Sequence, residues 1–314
     1  MHQQKTLSKS NNILERHLIN LFHSSGLPLH SNHTGYKDFS NYQRISLIVL
    51  FRRSKKSIRD FLKELNESKW ISWLHLKRIP KKSTFHDWLM IFGVNMIRKL
   101  IRKVTDYSNL KITSIDGTGI QSNFQSRYYE KRRKDFKMKT KRPYHKLDVI
   151  VGTFGKKHIL EYSFLLKNRS DSYVGKKLIK KFKVKRTKIT ADKGYPDYAF
   201  ADLAKENQNN FISPPKDYKG KCRHNNYKRM RKISNFESNR SVYRRRPIVE
   251  AVFSSLKRVQ DVKLRSKLHF MKKREMGWHI LLYNLRRNID FEDNNSDCLQ
   301  SEIDCFFILI FIYW

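Results

Sequence analysis

Lys111-Ile112-Thr113-Ser114-Ile115-Asp116-Gly117-Thr118-Gly119 is the stretch where the chain changes rhythm. A short β-branched run closes on an acid and glycine follows at once, which predicts a strand ending at Asp116. Downstream, Tyr144 to Thr153 and Lys157 to Leu166 are apolar runs about Gly155, the pattern of a hairpin. Tyr173 to Phe182 reads as a helix, and Thr187 to Thr190 as a strand closing on Ala191-Asp192. Pro196 to Glu206 reads as a helix and Asn210 to Ser213 as a short strand. Pro247 suits the first position of a helix through Val252, Phe253 and Leu256; Trp278, Ile280 to Tyr283 and Leu285 mark a last one, ending near Asn288. Three early strands, then helix, strand and helices, predict a mixed α/β domain.

Upstream, the first hundred residues read as helical. Ser57 precedes Ile58, Phe61, Leu62 and Leu65 at helical spacing, and Arg52, Arg53, Lys55, Lys56 and Arg59 lie at the start of that face. Thr84-Phe85-His86-Asp87 fits a capping box, and Phe85, Trp88, Leu89, Phe92, Met96, Leu100 and Val104 carry an apolar stripe. Short basic helices in this order suit a helix-turn-helix-like unit; an ordinary bundle with solvated lysines fits the same pattern.

Charge narrows the function. The 314 residues carry 67 Lys+Arg against 28 Asp+Glu, a net charge of +39. Such self-repulsion calls for a polyanionic partner, and nucleic acid is the expected one. Hydrophobic content of 39 % excludes a disordered polycation and leaves room for about two domains. Two segments concentrate the charge: Arg127 to Lys146, interleaved with aromatics, and Lys216 to Arg246. Both are read as phosphate-backbone tracks rather than solvated loops. Cys222, Cys298 and Cys305 form no CxxC pair, so a zinc site is not expected, and unpaired thiols suit a reducing cytoplasm. The first residues lack the apolar segment of a signal peptide, and the nine-residue run Phe306 to Trp314 is too short to span a membrane.

Three acids stand out. Asp116 and Asp192 each close a predicted strand beside glycine, and Glu250 lies on a later helix. Singly, each reads more readily as a cap, a turn residue or an ion-pair partner than as a catalytic acid. The context of Glu250 is more specific. Tyr243, Arg246, Glu250 and Lys257 are separated by two, three and six residues. This pattern resembles the Tyr-Arg-Glu-Lys signature of DDE transposases of bacterial and archaeal insertion sequences. Ile115-Asp116-Gly117-Thr118 and Ala191-Asp192-Lys193-Gly194-Tyr195 resemble the blocks around that family's two aspartates, in the right order.

The resemblance implies a ribonuclease-H-like core with Asp116, Asp192 and Glu250 as catalytic, metal-binding carboxylates. It implies two Mg²⁺ (or Mn²⁺) ions and in-line attack on a phosphodiester, first in strand cleavage at element ends and then in strand transfer. Tyr243, Arg246 and Lys257 would hold DNA phosphates, although Arg246 and Glu250, four apart, also suit a helical salt bridge. Lys131, Arg132, Arg133 and Lys134 are further DNA-binding candidates from the first basic run. Asp148 and Asp171 are read as structural, and Lys193 and Tyr195 as lining the cleft. The expected organisation is a helical DNA-binding region over 1–108, a catalytic domain over 109–289 with a basic insertion near 216–246, and a peripheral acidic and apolar tail over 290–314. Partners would be element terminal repeats and target DNA, bound by a homodimer in the nucleoid. A catalytically inactive DNA-binding remnant and a ribonuclease-H-like nuclease are the competing readings.

Overall fold

The computed structural model describes residues 2–31, 38–108, 110–122, 145–166, 169–195, 198–214 and 236–312, with side-chain detail between Ile13 and Asp293. Six helices come first: α1 (His2–Ser25), α2 (Asn41–Ser54), α3 (Ile58–Asn66), α4 (Trp70–Trp73), α5 (Lys82–Ile91) and α6 (Val94–Val104). Then follow β1 (Ile112–Ile120), β2 (His145–Gly152), β3 (Ile159–Leu165), α7 (Asp171–Lys181), β4 (Lys188–Ala191), α8 (Tyr198–Glu206) and β5 (Asn210–Ile212). The chain closes with α9 (Arg240–Tyr243), α10 (Ile248–Ser254), a wider π turn over Ser255–Val259, and α11 (His269–Ile312).

The strands form one sheet in the order β3-β2-β1-β4-β5. β1, β2 and β3 are antiparallel neighbours, whereas β4 and β5 run parallel to β1. A three-stranded meander extended by two parallel strands through helical crossovers is the ribonuclease-H-like arrangement. The β2–β3 turn uses Gly155 at φ +56°, a left-handed conformation that glycine adopts without strain.

Alternation along the strands sorts side chains to two faces. Ile115, Ile150 and Ile189 join α7 and α8 in one core, with Val174, Leu178 and Phe200. Leu147, Val149 and Val151 face the other way, into a larger core shared with α10, α11 and the N-terminal helices. That second core takes in side chains from both sides of residue 108, including Leu14, Ile48, Phe85, Leu100 and Trp278. Asn284 of α11 completes it by pairing with both the N–H and C=O of Ile159 at 3.0 and 2.9 Å, while donating to Thr105.

Four local readings change. Strand β1 does not stop at Asp116; pairing with β2 continues to Ile120 opposite His145 and holds it extended. The expected capping box at Thr84 is absent, because α5 starts three residues earlier, with Lys81 in the cap position and no side-chain cap. The capping box lies at α2 instead, where Ser40 and Gln43 exchange side-chain-to-backbone bonds of 3.2 and 2.8 Å. The stripe from Phe85 to Val104 is split between α5 and α6 by an extended Phe92-Gly93 junction. Finally, α11 continues past Asn288 to Ile312, and Glu292 on it pairs with Arg16 and His17 of α1. Among its residues with described side chains, Ile289 is the last that is buried, and Phe291 is exposed.

Arg52, grouped by sequence with the basic residues at the start of the Ile58 to Leu65 face, is buried and bonded to Glu275 of α11 at 2.9 Å. The same carboxylate accepts the backbone N–H groups of Arg265 and Ser266. Among the described residues, no helix is long and apolar enough to cross a membrane.

Two buried histidines make the fold acid-sensitive. Burial, reinforced by Lys156, pushes His158 down to about 4, and burial with Arg52 pushes His279 to about 3. His158 Nδ1 accepts the N–H of Asp106 at 2.9 Å, a bond that protonation there would break. Both folded values lie below the ordinary 6.5, so the unfolded chain takes up protons first. Their stabilising contribution is therefore intact above pH 6.5 and declines as pH falls through the folded values. His158 alone should remove about 3 kcal/mol by pH 4. Urea melts between pH 7 and 4 should show that decline, and a flat profile would contradict it.

Candidate active site

Parallel pairing sets the heart of the site. β1 and β4 are registered Ser114 to Thr190 and Ile115 to Ala191, so the next residue on each chain is an aspartate, Asp116 and Asp192. A hydroxyl pair ties the strands just below: Ser114 Oγ and Thr190 Oγ1 are 2.7 Å apart, and Thr190 also donates to the carbonyl of Thr113. β4 ends at Ala191, whereas β1 continues. Asp116 is thus the first β1 residue beyond its parallel partner, at the notch where a carboxylate can face open space.

The third acid arrives from α10. A turn over Arg244 to Pro247 leads into that helix, whose Val249, Val252 and Phe253 anchor it on the sheet. Glu250 points outward, with 57 % of its side chain exposed. Arg246 reaches between two acids, donating to Asp116 Oδ2 and Glu250 Oε1, each at 2.9 Å. The Arg246–Glu250 ion pair, the alternative to a phosphate-holding Arg246, therefore forms, but as half of a bridge. Lys257, on the π turn, donates to Thr118 Oγ1. Thr118 lies two residues beyond Asp116 and so on the same strand face, a signal that period-two counting could have used.

Electrostatics couple these groups. Burial pushes the Asp116 carboxyl upward, and Asp192 and Glu250 add to that, opposed by the Gly117 N–H and Arg246. Burial works against the charge on Arg246, yet Asp116, Asp192, Tyr243 and Glu250 outweigh it and raise its pKa. Half-buried Tyr243 is raised by burial and by the three acids, with Arg246 opposing, which keeps its hydroxyl protonated. So Asp116, Asp192, Glu250, Tyr243 and Arg246 share one site, with Lys257 at its edge.

Other readings fare differently. Tyr195 does not line a cleft; it is fully buried, and its hydroxyl meets Asp148 at 3.1 Å. Lys193 is exposed. Lys131, Arg132, Arg133 and Lys134 lie outside the described residues, as does Cys222, and the basic insertion is described only from Phe236 onward.

A model of the transposase DDE domain matches residues 107–285. The chain belongs to the transposase DDE domain family. The match begins just before β1 and ends within α11, so it takes in all three acids and the four residues of the Tyr243 to Lys257 pattern. No curated protein matches the chain. Among solved structures, a piggyBac transposase synaptic complex with hairpin DNA is similar at 13 % identity and a TM-score of 0.43, over 89 % of this chain and 72 % of that one.

A divalent ion would suit this cluster on chemical grounds. Asp116, Asp192 and Glu250 could offer it three carboxylates, a hard oxygen set of the kind Mg²⁺ prefers. A cation already bridges two of them, in the form of the Arg246 guanidinium. Among the described residues, no three His, Cys, Asp or Glu side chains close into a ready cage. The acids would have to draw together, with Arg246 giving way, to hold an ion.

Proposed function

We propose that this protein is the DNA transposase of an insertion sequence, cleaving strands at element ends and joining them to target DNA. The observation that carries the reading is the gathering of Asp116, Asp192 and Glu250 from three separate elements around one notch, in a chain of the transposase DDE family. The Tyr-Arg-Glu-Lys pattern supports the narrower assignment to the insertion-sequence group.

Asp116, Asp192 and Glu250 are the residues that would hold Mg²⁺ or Mn²⁺. Two such ions, when bound, lower the pKa of an attacking water or 3′-hydroxyl and stabilise the leaving oxygen. The chain's own groups position the DNA. Arg246 carries a planar fork of donors that matches a phosphate as well as a carboxylate. A phosphate entering the notch would compete for it and release Asp116 and Glu250. Tyr243, kept protonated, donates a hydrogen bond from the same side, and Lys257 adds charge at the Thr118 edge. Fixing the scissile phosphate in this way supplies the positioning on which in-line transfer depends.

The full chain incubated with duplex carrying the element's ends and Mg²⁺ should yield nicked 3′-ends, and EDTA should stop the reaction. Binding without cleavage would favour the inactive remnant. Equal cleavage of unrelated duplexes or RNA–DNA hybrids would favour a general nuclease. Two ends must be brought together for transfer, so a homodimer is the expected active form.

The basic run from Arg127 supplies a second test. If it tracks phosphates, log affinity falls with log salt by about 0.9 per phosphate neutralised. Replacing Lys131, Arg132, Arg133 and Lys134 with alanine should flatten that slope by up to about four such increments. An unchanged slope would return the run to a solvated loop. The helical region over 1–108 is assigned to recognition of the element ends. The full chain should then prefer end sequence over scrambled duplex, and substitutions on exposed Arg59 and Lys63 of α3 should reduce that preference.

A further inference from the structure

On the sheet face opposite Asp116 lies a buried ionic network that the proposed chemistry does not use. Asp148 of β2, in register with Gly117, is completely buried. Its Oδ1 accepts the Tyr195 hydroxyl at 3.1 Å and lies 3.4 Å from Lys146 Nζ. Lys146, itself buried, donates to the carbonyl of Arg169 at 2.8 Å and pairs with Asp171 at the start of α7. Tyr195 also closes the turn after β4, its N–H bonding the carbonyl of Asp192 at 3.0 Å.

The two glycines beside the aspartates press on this network. A Cβ on Gly117, next to Asp116, would lie 2.6 Å from Asp148 Oδ1. A Cβ on Gly194, two residues after Asp192, would lie 2.6 Å from Asp171 Oδ2. Both backbones therefore rest directly on carboxylates that Lys146 holds together. In the sheet, β2 and β4 flank β1, so the Tyr195–Asp148 bond straddles β1 beneath Gly117. Apolar side chains would fill this space at lower desolvation cost than a buried lysine between two acids. What the ionic arrangement adds is direction: each contact admits one geometry, and together they tie the β1 rim to the Asp192 turn.

We propose that Lys146, Asp148, Asp171 and Tyr195 are positioning residues that set the separation of Asp116 and Asp192 for metal binding. The inference rests on the reading of those two aspartates as metal-holding carboxylates. Partners that orient metal ligands from behind typically change metal affinity by about 10–100-fold when removed. Tyr195→Phe deletes one hydroxyl, Asp148→Asn removes the charge facing Lys146 at nearly constant shape, and Gly194→Ala pushes on Asp171.

The test is Mn²⁺ binding to the full chain, read by electron paramagnetic resonance, with a thermal melt of each variant. Wild type should bind Mn²⁺, and Asp116→Asn and Asp192→Asn should abolish that binding. Tyr195→Phe should weaken it at least about tenfold with the melt nearly unchanged, and Asp148→Asn should weaken it as much while lowering the melt, because Lys146 loses one of its two buried carboxylates. The Mn²⁺ midpoint for DNA cleavage should move by the same factor, with the rate at saturating Mn²⁺ within about threefold of wild type. If Asp148→Asn fails to fold, Tyr195→Phe and Gly194→Ala decide the matter. A folded Tyr195→Phe or Gly194→Ala that binds Mn²⁺ as wild type does would overturn the positioning role. Retained Mn²⁺ binding in Asp116→Asn and Asp192→Asn would instead overturn the assignment of the aspartates, which keeps the two failures apart.

Discussion

Asp116→Ala, Asp192→Ala and Glu250→Ala are each expected to lower Mg²⁺-dependent strand cleavage by about 10³-fold or more, with DNA affinity little changed. The reason is geometric. Asp116 and Asp192 enter the notch from neighbouring parallel strands and Glu250 from α10, so each is held by a different element and none of the three can slide into another's place. Removing one leaves two acids facing an ion that needs the third. DNA affinity should survive because it depends on the cationic surface of a chain carrying +39. The measurement is cleavage of end-bearing duplex at saturating protein, beside a binding titration of each variant. Near-full cleavage by Glu250→Ala would remove Glu250 from the site. Arg246→Ala provides an internal contrast, because it frees Asp116 and Glu250 from their bridge while removing a phosphate ligand. It should bind Mn²⁺ more tightly than wild type without DNA, yet cleave more slowly.

The second large effect concerns stability. Arg52→Ala is expected to cost about 3–5 kcal/mol, because it leaves Glu275 charged, buried and without its cation. Side-chain exposure is 8 % for Arg52 and 1 % for Glu275, so water cannot take over the lost bond. Burial alone would raise the Glu275 carboxyl. Arg52, His279 and the Ser266 hydrogen bonds outweigh it and hold the carboxyl below its ordinary 4.5. Its contribution is thus present above pH 4.5 and lost as pH falls through the lower folded value, adding to the acid limb set by the histidines. Thermal melts should drop by about 10 °C. Replacing both partners together, Arg52→Met with Glu275→Gln, should cost less, since no unpaired charge remains and the amide oxygen can still accept the Arg265 and Ser266 N–H groups. A drop of only 1–2 °C for Arg52→Ala would show that the pair contributes little to joining α2 to α11.

The candidate site was largely legible because its information is local. A β-branched run closing on Asp116 and another on Asp192 report strands through period and composition. The Tyr243, Arg246, Glu250 and Lys257 spacing reports a shared surface because those residues lie within fifteen positions of one another. Net charge, which needs no structure, pointed to a nucleic-acid partner. What the sequence could not decide was whatever depends on contacts between distant segments. Asp116 looked like a strand end because glycine follows it, whereas β2 supplies partners as far as Ile120 and keeps the strand going. Arg52 looked like one more cation of an exposed basic group because its neighbours are basic, yet Glu275, 223 residues away, takes it into the core. Tyr195 looked like a cleft residue by its nearness to Asp192, but Asp148 of β2 turns it inward. Composition and spacing determined that strand-borne acids, a basic surface and a helical leader belong to one protein. The tertiary structure alone decided the register that sets Asp116 beside Asp192, and which charges are buried, because hydrogen-bond pairing and desolvation are settled only when remote segments meet.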